Sequence, residues 1–422
     1  MTWPLVPLSA VAEVVSGYGF PRDHQGVTDG PIPFFKVGDM NLVGNERFMN
    51  VSTNTVSEET LRTLNARKFP PNTIIFPKIG AAIATNKKRI LTRLSTVDNN
   101  VMGLIPKPAV DPLYLFYWLE QFDLSTMANI GPVPSMRKSE VEKIFLPMPP
   151  VSEQRRIVEI LDQADALRRL RTEADAKAQR ILPALFLKMF GDPATNPMGW
   201  PVSSLEQEVE IGTELVDPNL PRYLELPHIG GENIERETGI ILPYKKVRES
   251  ALKSNKFYFS KEHVLYSKIR PYLNKVAFPE FEGVCSADIY PLRPRSGKIT
   301  QWYLIGLLRL PRFLRYAAIH SERLRMPKLN REQLGAFPIP LPDIDILRTF
   351  DRQARDIAVA ASLLAARRDR IEELLSLFTH RAFSGELTAR WREAHREQLC
   401  AEMAEQAKLL KLPLPEAARA LA

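Results

Sequence analysis

The chain has 422 residues, 45% hydrophobic and 25% charged, with a formal net charge of +8 and a pI near 9.3. These are ordinary globular values with length for two sizeable cores, so two or three domains are expected, and the basic excess would suit a polyanionic partner without establishing one. Cys285 and Cys400 are far apart and have no companion at ligand spacing, which excludes a disulfide framework and a zinc site of the Cys type; no run approaches the ~18 apolar residues of a membrane span, and no leader signature opens the chain, so a cytoplasmic location is expected.

Residues 1 to about 145 carry short apolar runs, Ile32 to Val37, Thr73 to Phe76 and Val101 to Ile105, punctuated by Gly, Pro and Asn, and read as mixed α+β. A helix is predicted from Pro112 to Phe122, with Asp111 as cap and Pro112 at the first position, where its missing N–H costs nothing. Leu146-Pro147-Met148-Pro149-Pro150 then interrupts any helix. Ser152 is expected to cap a long one, whose stripe runs through Ile157, Leu161, Ala164, Leu167, Ala174, Ala178, Ile181 and Leu185, with Pro183 kinking or breaking it near its end.

The order then repeats. Trp3-Pro4-Leu5-Val6-Pro7-Leu8 returns as Trp200-Pro201-Val202-Ser203-Ser204-Leu205; Ile74 to Ile79 corresponds to Val264 to Ile269, and Met136 to Met326, at a period of about 190 residues. That is a domain plus a helix, so a tandem pseudo-dimer is expected, and two similar readers suggest a two-part ligand. The second copy offers strand-like Tyr223 to Ile229 and Val264 to Ser267, a helix around Thr300 to Leu310 and a second proline cluster, Pro338 to Pro342. Ile357, Ala361, Leu364, Arg368, Ile371, Leu375, Phe378 and Ala382 follow in alternating steps of four and three, a coiled-coil seam with Arg368 as its polar intruder. Its economical partner is the first long helix, packed antiparallel as a strut on the order of 50 Å. The packing residues are then Ile157, Leu161, Leu167, Ile181, Ile357, Leu364, Ile371, Leu375 and Phe378.

No chemistry-bearing constellation emerges. None of the six histidines has a partner at metal-ligand spacing, and neither a nucleophile elbow nor a phosphate loop occurs. Glu140-Val141-Glu142-Lys143 resembles a nuclease cluster superficially, but its second copy, Arg331-Glu332-Gln333-Leu334, lacks the acid pair. What recurs is basic loops: Lys78, Lys87, Lys88 and Arg89 face Lys268, Arg270 and Lys275, the latter interleaved with Tyr266 and Tyr272. Arg137 and Lys138 likewise face Arg325 and Lys328. Lysine anchors phosphate, arginine can fork onto guanine, and tyrosine adds an apolar face with a hydroxyl, so these are candidate DNA contacts.

Leu146 to Ile157, Leu185 to Pro193 leading to Gly199-Trp200-Pro201, Leu265 to Lys275, and Ala382-Phe383-Ser384-Gly385-Glu386-Leu387-Thr388 together resemble the hallmark regions of specificity subunits of Type I restriction-modification systems. The resemblance covers the chain through about Glu393. It implies two α+β target recognition domains, 1–148 and 193–342, held apart by antiparallel helical regions 149–192 and 343–393; beyond these the chain adds a helical tail, 394–422, that the family pattern does not require. It further implies a non-catalytic subunit whose domains each read one half of a split double-stranded DNA target, while the helices set the gap. The partners implied are two methyltransferase subunits, which use S-adenosylmethionine on adenine, and restriction subunits, which use ATP with Mg; this chain itself would bind no cofactor. A methylation-only or interchangeable specificity subunit, and a coiled-coil adaptor that does not touch DNA, remain the alternatives.

Overall fold

A computed structural model describes residues 3–129, 131–212, 214–295, 297–321 and 327–411. The chain forms two compact units, residues 1–168 with 371–422 and residues 169–370. Both boundaries fall inside long helices, Val151–Gln179 and Ile344–Ser384, so each unit contains a stretch of both helices.

In the first unit a five-stranded sheet runs in the order Ala12–Ser16, Val101–Pro106, Ile74–Pro77, Arg89–Leu91, Phe48–Met49, antiparallel except for the last pair. Ile74, Ile75 and Phe76 are fully buried, as an unbroken apolar run requires of a strand covered on both faces. Thr55–Val56, Ile32–Phe35 and Thr96–Val97 make a second sheet. The helix Pro112–Glu120 begins as predicted: the Asp111 carboxylate accepts from the N–H groups of Leu113 and Tyr114, at 2.9 and 3.2 Å.

The second unit repeats the main sheet as Val209–Ile211, Ile289–Pro294, Val264–Ser267, Val276–Ala277. Its other sheet has five strands, Leu215–Val216, Lys256–Phe259, Gly283–Cys285, Pro227–Ile229 and Lys245–Lys246. The strand expected from Tyr223 shortens to Pro227–Ile229, because Pro221–Tyr223 is a 3-10 turn that points Tyr223 into the core. Thr300 caps the helix Gln301–Leu308. A Cβ at Gly306 would lie 2.7 Å from Phe186, so this glycine allows the helix Ile181–Phe190 to close onto it.

Matching hydrogen bonds establish the repeat. Leu8 N–H donates to Ile144 O as Leu205 N–H does to Phe337 O. The buried Tyr114 hydroxyl donates to Pro147 O, and the Tyr303 hydroxyl to Pro340 O, each at 2.7 Å. These bonds hold each proline cluster against its unit. Tyr114→Phe or Tyr303→Phe should each cost about 1–2 kcal/mol by orphaning a buried carbonyl. Urea titration checks this; an unmoved midpoint would show that the hydroxyl does not anchor the cluster.

The helical segments depart from the expected stripe. Ile157, Leu161 and Ala382 are buried together in the first unit, and Leu182, Phe186, Phe350 and Ala354 in the second, with Ile357 packed at the margin. Leu364, Ile371 and Leu375 are half-buried. Leu167 and Ile181, expected in the seam, are 65% and 50% exposed, and Phe378 is 36% exposed. Steps of four and three from Ile157 lead instead through Arg171, Asp175 and Ala178 to Leu182, so the middle of the seam is ionic. Asp175 pairs with Arg171 at 2.9 Å and with Arg368 at 3.2 Å, and Arg368 reaches Glu235 at 2.8 Å. In the second unit, Asp175 meets Arg368 and Phe190 meets Phe350, an antiparallel run. The break near Pro183 occurs as expected, one helix ending at Gln179 and the next starting at Ile181.

Ser152 is not the cap. The helix starts at Val151, and the Ser152 N–H and hydroxyl both donate to Glu402, at 3.1 and 2.7 Å. Glu402 lies on the tail helix Arg396–Leu410, which buries Leu399, Cys400, Met403 and Ala407 and sends Gln406 to Ala109 O and Pro149 O. The tail is therefore docked on the first unit rather than a frayed surface helix. Its end, Leu412 to Pro415, lies outside the described residues. Deleting residues 396–422 should lower the thermal midpoint of the first unit's transition; an unchanged melting curve would contradict the docking.

Candidate nucleic-acid interface

Each unit clamps a basic loop against a second loop with the same two backbone bonds. In the first, the chain leaves the strand Ile74–Pro77 at Lys78, turns through Gly80–Thr85 and ends at Asn86. Gly80 N–H donates to Pro134 O at 2.8 Å, and Met136 N–H donates to Lys78 O at 2.9 Å. In the second, Arg270 N–H donates to Pro327 O at 2.8 Å and Leu329 N–H to Lys268 O at 2.9 Å. Both loops enter and leave through left-handed backbone: φ is +76° at Gly80 and +53° at Asn86, +48° at Arg270 and +49° at Asn274.

This frame corrects the sequence register. Leu329, not Met326, takes the place of Met136, which sets Arg331 opposite Lys138 and Lys328 opposite Ser135. Arg325 and Met326 lie outside the described residues. Arg331 is exposed at the start of the helix Arg331–Gly335 and donates to Gly212 O. Sequence reasoning missed it as a site residue, although aligning the starts of Lys138–Val141 and Arg331–Gly335 would have found it.

The other candidates divide by exposure. Arg137 and Lys138 are open to solvent, Lys138 loosely paired with Glu142 at 3.6 Å. Lys78 is half-buried and donates to Ser16 Oγ; burial pushes its ammonium pKa down, and Asp98 opposes this. Lys87 bonds Asn41. Lys88 is a correction: it is 0% exposed, and its Nζ donates to Phe122 O at 2.6 Å and Asn86 Oδ1 at 2.8 Å. A lysine stem is long enough to cross from strand to helix end, so Lys88 ties the unit together and is not free to meet a phosphate.

In the second unit Arg270 and Tyr272 are exposed, Tyr272 by 60%. Behind them Lys268 sits 4.6 Å from the Tyr290 ring centroid. Its ammonium pKa is pushed down first by burial and then by neighbouring Lys328, with Asp288 opposing. A cation crowded by another cation is stabilised when an anion arrives. Lys275 turns inward to Gly231 O, which argues against its candidacy.

A family model described as Type I restriction modification DNA specificity domain matches residues 1–179. The chain is 27% identical over 353 residues to the Type I restriction enzyme EcoDI specificity subunit of Escherichia coli, covering 74% of this chain and 78% of the relative. Residues 1–179 thus match the specificity domain of Type I systems, and most of the chain is similar to a Type I specificity subunit. Its fold agrees with solved structures: a Type-I restriction-modification S subunit from M. genitalium superposes at a TM-score of 0.51 with 12% identity, over 91% of this chain and 96% of that one. A chain from a structure of a type I R-M system does so at 0.52 with 15% identity, over 92% and 98%. The specificity-domain match and the likeness to a specificity subunit support DNA sequence recognition, in a non-catalytic part, as the role of this chain. Among the described residues, no helix is long and apolar enough to cross a membrane and no cluster of three His, Cys, Asp or Glu is placed to hold a metal.

Proposed function

We propose that each unit of this specificity subunit reads one half of a bipartite, asymmetric double-stranded DNA target, the long helices setting the gap. The helices also dock two adenine methyltransferase subunits, and restriction subunits join that complex. Methyl transfer from S-adenosylmethionine and ATP-driven cleavage with Mg belong to those partners. The observation that carries this reading is the loop clamp built twice with unlike residues at its exposed tip. Gly80-Ala81-Ala82 in one copy stands where Arg270-Pro271-Tyr272 stands in the other. An identical frame fixes each loop's backbone, and different side chains on it suit different half-sites.

Exposed Arg270, Tyr272 and Arg331 are positioned for the second half-site, with Lys268 and Lys328 behind them as phosphate anchors; Arg137, Lys138, Lys78 and Lys87 serve the first. Selection of duplexes from a random pool, using the chain with its methyltransferase, tests this. Two short unlike sequence blocks at a fixed gap are expected. A single contiguous block, or a palindrome, would overturn the two-reader reading.

A further inference from the structure

In the first unit the groove between the helix Pro112–Glu120 and the long helix Val151–Gln179 is filled by Arg47. Its guanidinium lies 4.9 Å from the Tyr117 ring centroid, 5.5 Å from that of Phe116 and 2.8 Å from Asp162. The Tyr117 hydroxyl donates to the same carboxylate at 2.6 Å. The second unit builds this groove differently. Counting from the matched tyrosines Tyr114 and Tyr303, Ile305 replaces Phe116 and Arg309 replaces Glu120. Counting from the helix starts Val151 and Ile344, Ala358 replaces Asp165.

The result is a cavity of about 370 Å³ lined by Leu182, Ile241, Phe278, Trp302, Arg309 and Ala358, among others. That is the size of a small-molecule site. Two of the lining residues keep a donor behind the wall, sealed from solvent and without a partner among the described residues, Arg309 Nε and Trp302 Nε1. Arg309 Nη2 donates to Thr238 O and Val276 O, at 2.5 and 2.7 Å, which fixes the guanidinium in the wall. Gly239 makes room for it, since a Cβ there would fall 2.0 Å from that nitrogen. Burial pushes the guanidinium pKa down to about 10, and among the described residues no carboxylate pairs with it. Of the acids nearby, Asp175 pairs with Arg171 and Arg368 and Glu235 with Arg368, while Glu237, whose side chain is exposed, also lines the cavity.

We propose that this cavity binds a small carboxylic acid with an apolar body, its carboxylate on Arg309 and its body along Ile241, Phe278 and Trp302. Trp302 lies near the start of the helix Gln301–Leu308 and Arg309 caps its end, seven residues on and about 10 Å along the axis, so an elongated acid fits better than a compact one.

Titration of the full chain with 4-phenylbutyrate and octanoate, followed by ligand-observed NMR, tests the proposal, with 4-phenylbutanol as neutral control. The acids should bind about tenfold or more tightly than the alcohol, the difference expected of a charge-assisted bond. Arg309→Met should abolish that preference, and Ala358→Leu, which narrows the cavity without touching the guanidinium, should weaken both acids and alcohol. Absence of saturable binding by either acid would overturn the proposal. So would equal binding of acid and alcohol that persists in the Arg309→Met protein.

Discussion

Replacing Arg270 with glycine should lower affinity for the second half-site about tenfold to a hundredfold, the range of one lost arginine contact to a base edge, and leave the fold intact. Arg270 holds φ at +48°, a conformation that costs an L-residue about 1 kcal/mol or more, and the equivalent position in the first unit is already Gly80 at +76°. Glycine therefore keeps the backbone bond to Pro327 O and relieves strain while deleting the exposed guanidinium. Thermal stability should hold or rise slightly as binding falls. Arg270→Lys keeps the charge without the fork and should fall between the two. Fluorescence anisotropy at fixed salt, beside a melting curve, separates the two effects. A protein that melts lower and binds as before would make Arg270 a structural residue and not a reader.

The second large effect concerns Glu153, which is 0% exposed at the start of the first long helix. Its Oε2 accepts from Trp3 Nε1 at 2.9 Å, and its Oε1 accepts from Thr388 Oγ1 and Arg392 Nε, each at 2.7 Å. The Arg392 guanidinium also lies 4.8 Å from the Trp3 ring centroid and donates to Gly385 O. One carboxylate thus joins the beginning of the chain, the long helix and the segment after the second helix within the first unit. In the second unit Trp200 Nε1 donates to Phe190 O and, among the described residues, meets no carboxylate, so this ionic clasp distinguishes the two copies.

Glu153→Ala should destabilise the first unit by about 3–5 kcal/mol, because it strands a nearly buried guanidinium without its counter-charge. The double replacement Glu153→Leu with Arg392→Leu should recover much of that loss, since neither ion is then left alone. Denaturant titration of the two single variants and the double variant measures the coupling. Additive losses would show that the groups act separately.

The fold was legible in the sequence where apolar runs were unbroken and caps were strong. Ile74 to Phe76, Val264 to Tyr266, Asp111 before Pro112, and the helix around Thr300 to Leu310 were readable from residue type alone. The seam was not, because its middle is held by Arg171, Asp175 and Arg368. A reading that follows apolar residues slips to Leu167 and Ile181, one position off the packed face. Lys88 misled for a related reason: charge on a loop reads as surface, whereas its long stem reaches a helix-end carbonyl. The second loop was misaligned by three residues because Met136 and Met326 match by type, while the backbone bonds that set the register leave no mark in the sequence. Arg331 was missed for that reason. The left-handed backbone at Arg270 was equally invisible, since only the repeat's own Gly80 hints at it.

The central claim, that each unit reads its own half-site, is tested most directly by mapping methylated adenines across a genome. The chain would be expressed with its methyltransferase, once as it stands and once as Arg270→Gly. The account predicts a split motif with two unlike halves at a fixed gap, in which the variant relaxes or loses one half and leaves the other and the gap unchanged. Loss of preference in both halves together, or a motif without a gap, would contradict it.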